Sequence, residues 1–173
     1  WLDSTGYSLS SGKGDSMLRL RTPKAAKRLP RILQQTDVDK LLNSIVGDDV
    51  GAIRNRAVLE LLYATGIRVS EITSIDVRDI DMNLMQVSVT GKGNKERICL
   101  FGEPAWTALS RYFEDARPLM VKGMQTACFL NRFGERLSQR SVQRLVSSAG
   151  IQVGIKTNVH PHLLRHSFAT HLV

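Results

Sequence analysis

The strongest constraint on the fold is a change of period. From residue 84 to residue 101, "LMQVSVTGKGNKERICLF", apolar and polar residues alternate. Val87 and Val89 alternate with Gln86, Ser88 and Thr90, and Ile98 and Leu100 follow after two glycines. A period of two belongs to extended chain, and a glycine-rich break between two such runs makes an antiparallel hairpin. The spacing predicts a β-hairpin over 84–101, with "GKGNKE" at its tip.

On both sides of the hairpin the apolar residues recur at helical spacing. "TDVDKLLNSI" predicts a helix with Thr36 as its cap and Val38, Leu41, Leu42 and Ile45 on one face. A more apolar run, "IRNRAVLELLYAT", predicts a buried helix that stops at Gly66, and "RVSEITSI" a short third one. After Pro104 a helix aligns Trp106, Leu109, Phe113 and Ala116, and "ACFLNRFGER" reads as a short strand and turn. From Ser138 an amphipathic helix carries Val142, Leu145, Val146 and Ala149 on one side. Gln139, Arg140, Gln143, Arg144 and Ser147 lie on the other. The last helix starts near Pro161, with Leu164, Phe168 and Leu172 as its apolar stripe. The fold class expected is mainly α with one small antiparallel β-sheet (α+β).

Charge narrows the partners. The 173 residues carry 24 Lys and Arg against 16 Asp and Glu, a net charge of +8, which favours polyanions. Seven of the cations and one acid lie in residues 13–31, "KGDSMLRLRTPKAAKRLPR", where Pro23 and Pro30 favour an extended strap over a helix. The Ser- and Gly-rich "WLDSTGYSLSSGKGDS" ahead of it reads as a linker, and Trp1 and Leu2 as the remnant of a preceding helix. No apolar run is long enough to span a membrane and no secretory signal is visible, which points to the cytoplasm. Cys99 and Cys128 read as buried free thiols.

Three short motifs carry chemistry. "TGKGNKE" leads from strand to strand, not into a helix, so it is not a nucleotide-binding P-loop. It is either a solvated basic turn or a lysine held on a hairpin tip. "TGIRVSE" places Arg68 after a helix stop, as surface charge or as a guanidinium fixed in a cleft, with Glu71 three residues on and able to hold it. "HPHLLRHSFATHL" sets His162 and Arg165 one helical turn apart, an arrangement suited to binding phosphate oxygens and moving a proton. His162 and His166 also have the spacing of zinc ligands, but no Glu follows His162 and no Cys or acid pair is near, so no metal is expected. His166 and His171 read as packing or capping residues.

Together, in this order, the three motifs resemble the tyrosine site-specific recombinases, nearest to the Xer branch that resolves chromosome dimers, with phage and integron integrases as relatives. The likeness runs from about "RTPKAAKRLPRIL" to Val173. It implies that Arg68 and Arg165 clamp the scissile phosphate, that Lys92 protonates the departing 5′ oxygen, and that His162 transfers a proton. Glu71 would orient Arg68. Lys95, Arg97, Gln139, Arg140, Gln143 and Arg144 would contact DNA. It implies a double-stranded DNA recombination site as substrate, a tetramer of recombinase protomers, a DNA translocase as a further partner, a role in chromosome partition or mobile-element integration, and no cofactor. Residues 1–30 would be an interdomain linker and the remnant of an N-terminal core-binding domain, and 31–173 an incomplete catalytic domain. The family's nucleophilic Tyr lies beyond the His-x-x-Arg motif, and none of Tyr7, Tyr63 and Tyr112 holds that place. The chain as written is therefore expected not to cleave DNA in cis. A non-catalytic DNA-binding module on the same scaffold is the alternative.

Overall fold

A computed structural model describes residues 32–91 and 93–172. The strap and linker, Tyr7, Lys92 and Val173 lie outside the described residues. The centre of the fold is α2 (Val50–Thr65), a helix apolar on almost every side, with Ala57, Val58, Leu59 and Leu61 at 0% exposure. Asp49 starts it, accepting hydrogen bonds from the Gly51 and Ala52 N–H groups at 2.9 and 3.1 Å. Gly66 ends it in the left-handed conformation (φ 57°), as its sequence position predicts. Around α2 pack α1 (Gln35–Leu42), α3 (Val69–Ser74), α4 (Glu103–Arg111), α5 (Arg117–Met120), α6 (Gln139–Gln152) and α7 (Pro161–His171). Thr36 lies inside α1, not at its cap, which is Gln34 without a side-chain bond.

Gly66 has a second constraint. A Cβ there would lie 2.2 Å from Cδ1 of Phe168, on top of the cost of a positive φ. Gly66→Ala is therefore expected to destabilise the fold by about 2 kcal/mol or more, measurable by urea unfolding. Gly93, at φ 79° with open space around it, suffers only the conformational penalty when substituted.

The hairpin forms as expected, from β2 (Gln86–Thr90) and β3 (Glu96–Leu100), and a two-residue strand, β1 (Ile80–Asp81), adds to its edge. Register explains one difference from the sequence reading. Val87 pairs with Cys99 and Val89 with Arg97, so those four residues share the inward face. Ile98 and Leu100 consequently point outward, 61% and 69% exposed, and Arg97 points in. Cys99 is half-buried, whereas Cys128 is buried; both are free thiols.

Two further differences have physical causes. After α4 the chain makes a π-helical turn, Tyr112–Ala116, which rotates the buried stripe. Ala105, Ala108, Leu109, Tyr112 and Ala116 face the core, while Trp106 stands at the rim and donates its indole N–H to the Met82 carbonyl at 3.0 Å. Residues 127–136 form no strand, only two isolated bridges, Asp76 with Ala127 and Leu130 with Arg136. Side chains hold this segment instead. The Tyr112 hydroxyl donates to the Cys128 carbonyl at 2.9 Å and accepts from the Leu130 N–H at 3.2 Å, and Arg117 donates to the carbonyls of Gln125, Ala127 and Cys128. On α7 the buried residues are Leu163, Leu164 and Ser167; Phe168 is half-buried against Tyr63 and Leu172 is 70% exposed.

Candidate phosphodiester-binding site

The helix stop at Gly66 places Arg68 at the N-cap of α3, with its side chain half exposed. Glu71, one turn into α3 and only 4% exposed, holds it twice: Oε2 accepts from the Arg68 backbone N–H at 2.6 Å and Oε1 from Arg68 Nη1 at 3.0 Å. Arg97, on the inward face of β3, donates Nη1 to Oε1 at 2.8 Å and Nη2 to Oε2 at 2.9 Å. Arg97, expected among the DNA contacts, thus has its guanidinium fork engaged by a carboxylate. Burial pushes the Glu71 carboxyl upward, but the hydrogen bonds from Arg97 and Arg68, with the charge of Arg97, outweigh it and hold the group down at about 2.

α7 reaches the same place from the other side. His160 caps it, its Nδ1 accepting from the Leu163 N–H at 3.2 Å. Arg165, half-buried, donates Nη1 to the Gly66 carbonyl, so the second guanidinium is anchored on the backbone two residues before Arg68. His162 is exposed, its ring 6.4 Å from that of His160. His171 is bonded to the Tyr63 hydroxyl at 2.9 Å, a packing role, while His166 is exposed. Among the described residues no group of three or more His, Cys, Asp or Glu is placed to hold a metal.

α6 completes the site. A cavity of about 410 Å³ is lined by Arg68, Val69, Ser70, Gln139, Gln143, Ser147, His160, Pro161 and His162. The polar face of α6 is thereby divided. Gln139 and Gln143 line the cavity with Arg68 and His162, and Arg140 is exposed beside them. Arg144 lines a second hollow of about 730 Å³ with Arg54, Arg132 and Ser141. Arg132, whose guanidinium lies 4.6 Å over the Phe133 ring, is a cation the sequence reading missed, although "NRFGER" carried its signal. Ser147 is half-buried and donates to the Val159 carbonyl at 3.0 Å, so it is less free than its position predicts. Lys95 is exposed near the hairpin tip; Lys92 lies outside the described residues.

Neither described tyrosine enters this cavity. Tyr112 is 0% exposed and its phenol is pushed well above its ordinary value by burial, and Tyr63 is spent on Gln35 and His171.

The cavity thus lies between a helix capped by Arg68, a helix carrying a His-x-x-Arg sequence and a polar helix face, and sequence comparison says which family combines these features. The phage integrase family model matches residues 31–173. The chain belongs to that family, and the curated proteins it resembles are tyrosine recombinases of the Xer type. It is 41% identical over 161 residues to the tyrosine recombinase XerD of Oceanobacillus iheyensis, covering 92% of this chain and 54% of that protein. It is 42% identical over 156 residues to the tyrosine recombinase XerC of Alcanivorax borkumensis, covering 89% and 50%. Among solved structures it superposes on XerA recombinase with a TM-score of 0.75 at 26% identity, over 90% of this chain and 53% of that one. A XerH site-specific recombinase bound to a palindromic difH substrate gives 0.72 at 25% identity, over 87% and 44%. The chain spans about half the length of the curated relatives it matches.

Proposed function

We propose that residues 31–173 supply the phosphate-activating part of a site-specific DNA recombinase, and that residues 1–30 link it to a DNA-binding partner domain. The observation that carries this reading is the convergence of Arg68, His162, Gln139 and Gln143 on one cavity, with Arg165 tied to the neighbouring Gly66 carbonyl. Two guanidiniums at one phosphodiester oppose the charge that grows on its non-bridging oxygens as the phosphorus is attacked. A tyrosine oxygen forms the new bond to phosphorus while the bond to the 5′ oxygen breaks. Lys92 gives that oxygen its proton, and His162 relays a proton at the nucleophile's side. The resulting 3′-phosphotyrosine conserves the ester, so a 5′-hydroxyl from another strand reverses the step without a nucleotide cofactor.

The nucleophile in this reading comes from outside the described residues or from another protomer, in keeping with a tetramer on two duplexes. Lys95, Arg140, Arg144 and Arg132 are candidates for contacts to the duplex backbone. Work on chromosomal DNA implies the cytoplasm and a translocase that brings the sites together; among the described residues no helix is long and apolar enough to cross a membrane.

The test is a graft. Residues 31–173 replace the matching segment of the Oceanobacillus XerD, and the chimera is assayed on that protein's recombination site. Strand cleavage with a covalent protein–DNA band supports the reading. A chimera that binds the site and never cleaves it favours the non-catalytic DNA-binding module.

A further inference from the structure

We propose that Arg97 is a positioning residue that fixes the hairpin to Arg68 through Glu71, and that it does not read DNA; this rests on the proposed role of Arg68. A carboxylate offers about four lone-pair directions, and those of Glu71 are all taken, two by Arg68 and two by Arg97. The Arg97 fork meets both carboxylate oxygens, a geometry that sets direction as well as distance. The pair joins two elements far apart in sequence. Arg97 stands opposite Val89 on the inward face of the hairpin, and Glu71 caps the helix that begins at Arg68.

The hairpin backbone closes over this pair. A Cβ on Gly91 would lie 3.4 Å from Arg97 Nη1 and 3.7 Å from Glu71 Oε1, and the Gly91 N–H donates to the Lys95 carbonyl at 2.8 Å to close the tip. These are ordinary contact distances, so the base of the tip sits directly against the ion pair. The position of the tip and the direction of the Arg68 guanidinium are therefore set by one carboxylate. Losing the Arg97 fork frees the hairpin and lets the carboxylate, and Arg68 with it, turn away from the cavity.

The test uses the chain as it stands, with Arg97→Met, the charge-retaining Arg97→Lys, and Arg144→Ala as a backbone-contact comparator. Amide exchange across residues 91–96 reports the tip, the ¹⁵N-arginine side-chain resonance of Arg68 (assigned with Arg68→Lys) reports the site, and a salt titration of duplex binding reports phosphate contacts. Arg97→Met should speed exchange at the tip by about tenfold or more, leave the buried amides of α2 protected, and shift the Arg68 resonance. Arg97→Lys, with its charge but not its fork, should recover part of both effects and serves alone if the Met variant does not fold. The salt slope should be unchanged by Arg97→Met and reduced by about one by Arg144→Ala. A tip that stays protected, or an Arg68 signal that does not move, overturns the proposal, as does a salt slope that falls by about one in Arg97→Met. If the parent chain does not bind duplex, the salt titration is run on the XerD graft; a graft that binds no duplex sinks the recombinase reading, and the exchange and resonance data still decide the role of Arg97.

Discussion

Arg165→Ala, placed in the XerD graft, is expected to slow strand cleavage by about a thousandfold or more while weakening duplex binding by less than about tenfold. The asymmetry follows from where the charge develops. A duplex presents many phosphates, so one lost cation among the lysines and arginines of this surface changes ground-state affinity little. At the scissile phosphorus the negative charge concentrates only as the new bond forms, and a fixed guanidinium there is worth most at that moment. Arg165 is fixed by its bond to the Gly66 carbonyl, and a lysine cannot reproduce a planar fork with one N–H spent on a backbone acceptor. Arg165→Lys should thus recover only a small part of the loss. Single-turnover cleavage of a nicked duplex, set beside filter binding, separates the two effects. Equal losses in affinity and rate would assign Arg165 to ordinary DNA binding and favour the non-catalytic reading.

The parts of this site that were legible in the sequence are those set by local rules. Gly66 had to stop α2 because the apolar run ends on the residue best suited to a left-handed turn, and that stop fixes where Arg68 emerges. The hairpin followed from its period, and the polar face of α6 from the spacing of Gln139, Arg140, Gln143 and Arg144. What the sequence hid depends on contacts between distant elements. The inward face of β3 is decided by its pairing with β2, so the apolar Ile98 and Leu100 are poor guides to it, and the sequence alone does not show that the Arg97 fork, expected among the DNA contacts, meets the Glu71 carboxylate. The π-turn at Tyr112–Ala116 breaks the helical period on which the Trp106–Phe113 stripe relied. The segment at 127–130 looked like a strand because its residues are apolar, but Tyr112, Arg117, Arg54 and Arg136 satisfy its neighbourhood's backbone in place of a partner strand. Nothing local announces that Gln139 and Gln143 share a cavity with Arg68 while Arg144, one residue on, turns into another.

Glu71→Ala should destabilise residues 31–173 by about 3 kcal/mol, a large fraction of a typical domain's stability. The substitution leaves two guanidiniums facing each other across an empty acceptor. The figure is at the low end for a broken buried ion pair because Arg68 and Arg97, at 50% and 39% side-chain exposure, can turn to water. Glu71→Gln separates the charge from the shape. The folded carboxyl titrates at about 2 against an ordinary 4.5, so its ionisation stabilises the fold by about 3 kcal/mol above pH 4.5, and that contribution drains away as the pH falls toward 2. The Gln variant has no such titration. It should be markedly less stable than the parent at pH 7, and the gap should narrow steadily below pH 4.5. Urea unfolding of both proteins across this range checks the sign. Two curves that stay parallel down to pH 3 would mean that the Glu71 charge is not held by its two arginines. The tie between the hairpin and the Arg68 guanidinium would then need another origin.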